Sequence, residues 1–412
     1  MANPLLQKIQ LPNSSEFLKN VLLWQAAIVV IILGIIFSKV SLENGFPLHR
    51  RGVVFGSDFM NMWHYGKAAL SDAPGLWYNN ETYNAHLQAH IDDYPTQYWS
   101  YPPHVMLLAA PFGFMGYKTA LASFCLLSAV CYHLATRDIF NTRMLKLSLW
   151  IMPTIALTLV AGQLSVLLAA AFIVIFRTLD SRPWAAGLLI ALMTVKPQIG
   201  FIFPIFLLAT GRYKVFGWAS LFSGLFIGTS IAVYGLSLWE TFLTNRVGEQ
   251  MELLLHIHPM TRGWMPSVAV NAGIAGLGPK AMAIVHIIAA LAAIGFMVWG
   301  VRKTKDKFLQ YALFLAVSFV ATPYLMIYDT VILGWAALIL VMFYGTVRLD
   351  RFFYRAFILM IPISTLLSLL HIPGSALILL AMVFWVGRYV VQDSRPIEVL
   401  PHLSLSQFRD QK

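Results

Sequence analysis

Long apolar runs recur from one end of the chain to the other, and no other feature limits its fold so strongly. The first, Val21 to Ser38, is followed by runs near 118–136, 145–160, 163–177, 183–195, 197–210, 214–234, 280–301, 308–321, 323–345, 353–370 and 374–391. Of the 412 residues 58% are hydrophobic and 11% charged, and the mean hydropathy is +0.70. A water-soluble fold of this length could not cover so much apolar surface. The chain reads as an all-α polytopic membrane protein with about twelve transmembrane helices. Fusing neighbouring runs does not work: a single helix over 183–210 would be about 42 Å long, against a hydrocarbon core of ~30 Å. Pro197 and Pro323 stand at two of the splits, where proline readily opens a helix.

The charges orient the bundle. With the N-terminus in the cytoplasm, 20 of the 29 Lys and Arg fall in inward loops or the two terminal segments, the pattern of a multi-pass cell-membrane protein with both ends inside. The same placement explains the net charge of +11 and argues against a nucleic-acid partner. Counting Pro103–Gly116 as a span would turn the basic clusters outward, so this segment of about fourteen residues reads as interfacial or re-entrant. Val21–Ser38 lacks a small-residue cleavage site behind it and reads as a retained helix. Cys125 and Cys131 share one apolar run and indicate neither a disulfide framework nor a zinc site. Residues 1–391 form a single membrane domain, with outer loops at 39–117 and 235–279, and 392–412 a cytoplasmic tail. No repeat or two-fold hydropathy symmetry interrupts it.

The unusual polar residues gather in the outer loops or at outward helix ends. "GSDFMNMW" places Asp58 before an expected amphipathic helix, Phe59 to Leu70, and a second short helix is expected from Glu81 to Ile91. Pro102–Pro103 in "YWSYPPHV" turns the chain back. Further outward corners are "AGQLS", "TVKPQ", "TRGWMPS" and "ATPYLMIYDT". Asp329 is placed about two turns into its span, where an isolated acid costs roughly 2.5–3.5 kcal/mol, so a partner or a wet cavity is expected beside it.

In their order, Asp58, Tyr101-Pro102-Pro103, Gly162-Gln163, Lys196-Pro197, Pro266-Ser267 and Tyr324…Tyr328-Asp329 resemble glycosyltransferase family 87, of the GT-C superfamily of membrane glycosyltransferases. The resemblance spans about residues 50–345. It implies an inverting hexosyltransferase that moves a sugar from a polyprenyl-phosphate donor to a lipid-linked or envelope glycan acceptor on the non-cytoplasmic face. Some members of the family use polyprenyl-phosphate mannose. Where those tend to carry paired His after a Ser-Pro, this chain has Thr322-Pro323-Tyr324 and Tyr328-Asp329.

The resemblance gives Asp58 the role of general base; a capping Asp at the start of its helix is the plainer alternative. The departing phosphate needs cations, for which Lys196 and Arg262 are the candidates, with Arg246 behind them and His104 a further phosphate contact. Membrane snorkelling and headgroup binding are the competing roles for these residues. Gln163 and Ser267 suit hydrogen bonds to sugar hydroxyls or to helix ends. Tyr101, Tyr324 and Asp329 complete the substrate-binding set, Asp329 alternatively pairing with Lys196 or His286. Trp63, Trp77, Trp99 and Trp264 read as an interfacial aromatic belt more readily than as sugar platforms. No DxD, HExxH or Cys/His cluster is present, and a monophosphate leaving group can be neutralised by protein cations, so neither metal nor cofactor is expected. A lipid-linked-sugar transporter or flippase, a diphosphate-carrier polymerase or ligase, and a non-catalytic scaffold are the alternatives. The first predicts inverted repeats and ionisable groups near the bilayer midplane.

Overall fold

A computed structural model of the chain describes residues 14–48, 53–92, 94–140, 142–246, 264–345 and 348–392. Among these the architecture is helical, apart from a small antiparallel ribbon pairing Ser41–Glu43 with Phe46–Leu48 and one isolated bridge. Five helices are long and apolar enough to cross a bilayer: Ser15–Phe37, Tyr117–Thr136, Tyr213–Tyr234, Pro279–Lys303 and Ile327–Tyr344. Two bent pairs make up to seven crossings if each is one span, Arg143–Trp150 with Pro153–Ala161 (43°) and Arg348–Ile358 with Met360–Leu369 (64°). Length therefore does not reproduce the expected twelve. The other apolar runs form helices of only 10–17 residues, about 15–26 Å long at 1.5 Å per residue.

Proline accounts for much of this segmentation. Helices open at Pro153, Pro183, Pro197 and Pro279, where the missing N–H removes a donor that a first turn leaves unpaired anyway. Pro323 behaves differently from the sequence expectation. It ends the preceding helix at Ala321, leaves Thr322 extended (ψ 118°), and the next helical turn begins only at Ile327. Asp329 consequently lies in a first turn rather than two turns deep.

Val331–Ile339 is buried at every residue and forms the axis of the bundle, with Lys307–Ala321 and Ser165–Thr178 packed around it. The Ser15–Phe37 helix instead leaves Leu23, Val30 and Ile31 more than half exposed, a surface suited to hydrocarbon. The far end of Ile327–Tyr344 from Asp329 is where basic residues collect. There Tyr344 donates to Asp306 (2.7 Å), and Lys307 and Arg212 both pair with Asp180 at 2.8 and 3.0 Å.

The two helices expected in the first long loop form as Ser57–Ala69 and Asn80–Gln88. They do not lie loose on a surface. Ser57–Ala69 buries Phe59, Met60 and Tyr65 and packs backbone against backbone on Val105–Gly113: a Cβ on Gly66 would strike the Ala109 carbonyl and the Gly113 amide. The 103–116 segment supplies only this nine-residue helix, too short to cross a bilayer. Trp99 is fully buried and stacked on Tyr65 at 3.7 Å, so it belongs to the core of this loop and not to an aromatic belt.

Candidate functional site

Asp58 is held by a backbone arrangement that only particular residues permit. It occupies the first turn of Ser57–Ala69, and Gly56, with φ 74°, stands at the N-cap, so Asp58 is not the capping residue. The Gly56 amide donates to the Val160 carbonyl (2.8 Å), and the Tyr117 hydroxyl donates to the Phe55 (2.6 Å) and Gly56 (2.8 Å) carbonyls. These bonds tie the loop to two bundle helices. Gly162 ends the Pro153–Ala161 helix at φ 68°, and a Cβ there would meet Phe59 and Gly56, so "AGQLS" turns directly beneath Asp58.

That turn brings Gln163 to the carboxylate. Its Nε2 donates to Asp58 Oδ2 at 2.9 Å and to the Tyr328 hydroxyl at 3.3 Å, while its Oε1 accepts from the Leu164 amide (3.1 Å) and the Tyr101 hydroxyl (3.4 Å). Tyr328 also hydrogen-bonds the carboxylate directly. Burial pushes the Asp58 carboxyl above its ordinary value of 3.8. The hydrogen bonds from Gln163 and Tyr328 and the positive charge of Lys196 pull it down without winning, and Asp329 adds to the rise. A carboxylate so placed is a stronger base than one in water. The Tyr101 and Tyr324 hydroxyls are raised above their ordinary values by burial and then by Asp58 and Asp329, so both stay protonated as donors.

Lys196 and Asp329 form a buried ion pair, side chains 5% and 2% exposed, which resolves the two partners open to Asp329 in favour of Lys196. Ser165 donates to the same oxygen (2.7 Å) and the Met326 amide to the other (3.2 Å). His286 instead faces the Ala321 carbonyl at 3.1 Å. The Lys196 ammonium lies 5.4 Å from the centre of the Tyr328 ring. Tyr328 thus joins the Asp58 and Asp329 halves into one polar network, and a Thr322 hydroxyl bond to the Gln198 carbonyl (2.6 Å) closes the corner behind it.

Other candidates are spread wider. His104 contacts Thr194 (3.1 Å) and stacks on Trp239 at 5.5 Å; burial holds it neutral, with its ordinary value of 6.5 lowered to about 4. Ser267 caps the helix Val268–Ile274 by accepting from the Val270 amide (3.2 Å), a structural bond rather than a contact with Asp58. Arg262 and the side chain of Arg246 lie outside the described residues. Ser165 and Thr194 were missed as site residues, although both sit inside or beside corners that the sequence marks. Among the described residues no cluster of three His, Cys, Asp or Glu could hold a metal ion.

The first-loop acid, the Gly-Gln corner, the Lys-Pro corner and the Tyr-Asp turn thus meet in space. Glycosyltransferase family 87 matches residues 99–328, more than half of the chain. The chain belongs to glycosyltransferase family 87. Its match includes Gln163, Ser165, Lys196 and Tyr328, ends one residue before Asp329, and excludes Asp58, which the family-87 segment holds through Gln163 and Tyr328. The chain matches no curated protein and no solved structure. Membership of the family makes a membrane-embedded glycosyltransferase fold the frame for the site.

Proposed function

We propose that this protein transfers a hexose, mannose being the first candidate, from a polyprenyl-phosphate donor to a lipid-linked or glycan acceptor on the non-cytoplasmic face of the cell membrane. One observation carries the reading: a buried carboxylate, amide, tyrosine and lysine share one network, and residues on either side of that lysine in the chain line an apolar groove. The groove, about 270 Å³, is lined by Thr194, Pro197, Phe201, Phe216 and Ser223 among others, Thr194 and Pro197 flanking Lys196 in the chain. Its chemistry suits an isoprenoid chain whose phosphate lies toward the ammonium.

In this reading Asp58 accepts the proton of the acceptor hydroxyl as that oxygen bonds to the sugar's anomeric carbon. The bond from that carbon to the phosphate oxygen breaks on the opposite side, which inverts the centre in one displacement. Polyprenyl monophosphate leaves with its charge offset by Lys196, released in part from Asp329. Tyr101 and Tyr324 supply hydroxyls to orient sugar or phosphate. In this reading the five short apolar helices cross as well, which with the five long helices and the two bent pairs makes twelve passes. The basic end at Arg212 and Lys307 is then cytoplasmic and the Asp58 end faces outward.

The bent pairs also fit a transporter of lipid-linked sugars, which uses interrupted helices. The gathering of Asp58, Lys196 and Asp329 at helix ends favours transfer over alternating access. Asp58→Asn in purified protein is the test: loss of a positioned carboxylate base is expected to slow transfer by roughly 10²–10⁴-fold. A variant that transfers sugar at the wild-type rate refutes the role, and substrate counterflow without transfer would establish the transporter.

A further inference from the structure

The Ser57–Ala69 helix carries two faces. Asp58, Met62 and Tyr65 recur at one helical spacing, and Met60, Trp63, His64 and Lys67 at another on the opposite side. The second face lines a separate pocket of about 260 Å³, completed by Phe46, Trp77, His86, Leu87, His90 and Ile91. Nothing in the proposed reaction uses it. All of its lining residues lie before residue 99, where the family-87 match begins.

Its wall is a continuous series of aromatic rings. His64 meets Trp63 at 4.9 Å and His86 at 5.2 Å, Trp77 lies 4.4 Å from His86, and His86 lies 4.6 Å from His90. Lys67 holds its ammonium 5.3 Å from the Trp63 ring centre. The hydrogen bonds of the histidines define what the pocket offers. Nδ1 of His64 faces the Met60 carbonyl at 2.9 Å, and Nδ1 of His90 faces the His86 carbonyl at 2.8 Å. A carbonyl only accepts, so either ring in its neutral form carries its hydrogen on Nδ1 and offers Nε2 as an acceptor. Burial holds His64 in that neutral state, its ordinary value of 6.5 lowered to about 3.

A pocket with apolar ring faces, two imidazole acceptors and one ammonium donor calls for a ligand that is flat and apolar on one side and rich in O–H groups at its edge. A hydrocarbon chain satisfies none of the polar atoms. A fully ionised phosphate has no hydrogen to give the Nε2 atoms. A pyranose ring meets all three demands: its C–H face lies on indole, and its hydroxyls both donate and accept. We propose that this pocket is a second carbohydrate-binding site, which takes one sugar ring of the acceptor glycan away from the ring being extended. The assignment to an acceptor rests on the reading of the chain as a sugar-transferring enzyme; the sugar site itself does not.

The test is saturation-transfer NMR on purified full-length protein with methyl α-mannoside, methyl α-glucoside and methyl β-galactoside. At least one is expected to show saturable transfer to its ring protons. Trp77→Ala should weaken that binding by roughly three- to tenfold, the range of an aromatic stacking contact. His90→Phe, which keeps a ring and removes the acceptor, should also weaken it, and Trp77→Phe should retain most of it. Should Trp77→Ala fail to fold, as judged by its melting transition, the two conservative variants decide the matter. Asp58→Asn should keep the binding while losing transfer, so failure of the catalytic reading and failure of this site are separate results. No saturable signal from any of the three sugars, binding unchanged in the Trp77 and His90 variants, or displacement of the sugar by inorganic phosphate overturns the proposal.

Discussion

Removing the charge of Lys196 separates its two roles. In Lys196→Met, Asp329 keeps its bonds from Ser165 and the Met326 amide but loses its counter-cation in a site where both side chains are nearly inaccessible. Breaking a buried pair by removing one partner costs about 3–5 kcal/mol. In Lys196→Met with Asp329→Asn neither member of the pair leaves a charge stranded, and the amide oxygen can still accept from Ser165 or Met326. Replacing both members of such a pair is often neutral, so the double variant should fall within about 1 kcal/mol of wild type. Transfer should behave otherwise. A hydrogen bond to a charged group contributes about 1.5–3 kcal/mol, so both variants should lose roughly 10–150-fold in kcat/KM for the polyprenyl-phosphate donor. Denaturant unfolding in detergent micelles gives the stabilities, and initial rates with a radiolabelled donor give the second quantity. If the double variant regains activity along with stability, Lys196 only holds the fold. If Lys196→Met is as stable as wild type, the pair does not carry the energy assigned to it.

Because burial raises the Asp58 carboxyl above 3.8, the acid limb of the pH–rate profile should lie above that value: activity is lost as pH falls through the raised value and Asp58 takes up a proton. Gln163→Leu removes a bond to the charged form, so the limb should move to still higher pH, as rate measurements across a buffer series would show. Gly66→Ala is expected to destabilise by about 1–3 kcal/mol, the range for overpacking, because the new methyl meets the Ala109 carbonyl. An unchanged melting transition would contradict the close packing. Ser223→Trp, which fills part of the apolar groove, should raise the apparent KM for a long-chain donor several-fold and leave that for a short-chain donor nearly unchanged.

Hydropathy located the helices and missed their lengths. Each apolar run does contain helix, since backbone in lipid must pair with itself, and Pro183 and Pro197 open helices where the sequence places them. The non-helical stretch from Thr322 to Met326 was not legible, because periodicity does not reveal that a residue preceding proline will leave the helix and delay the next turn. The candidate site was legible as a set of corners: Asp58, Gln163, Lys196 and Asp329 come together in one network. Its connectivity was not. Tyr328, marked in the sequence only as part of the Tyr-Asp corner, links the two halves, and Ser165 reads as a plain helix start. Trp99 misled in the same way: an aromatic near a helix end suggests the headgroup layer until its stacking partner Tyr65 is seen.

For the polyprenyl donor proposed above, the contact of Gly66 with Gly113 has a bearing on how a bulky lipid would reach the carboxylate. Two helices whose backbones touch have no layer of side chains that can rearrange to let them part, so this side of the Asp58 site is a fixed wall. Any lateral doorway for an isoprenoid must open elsewhere, and a crosslink that staples residues 66 and 113 together should leave the traffic of substrate undisturbed.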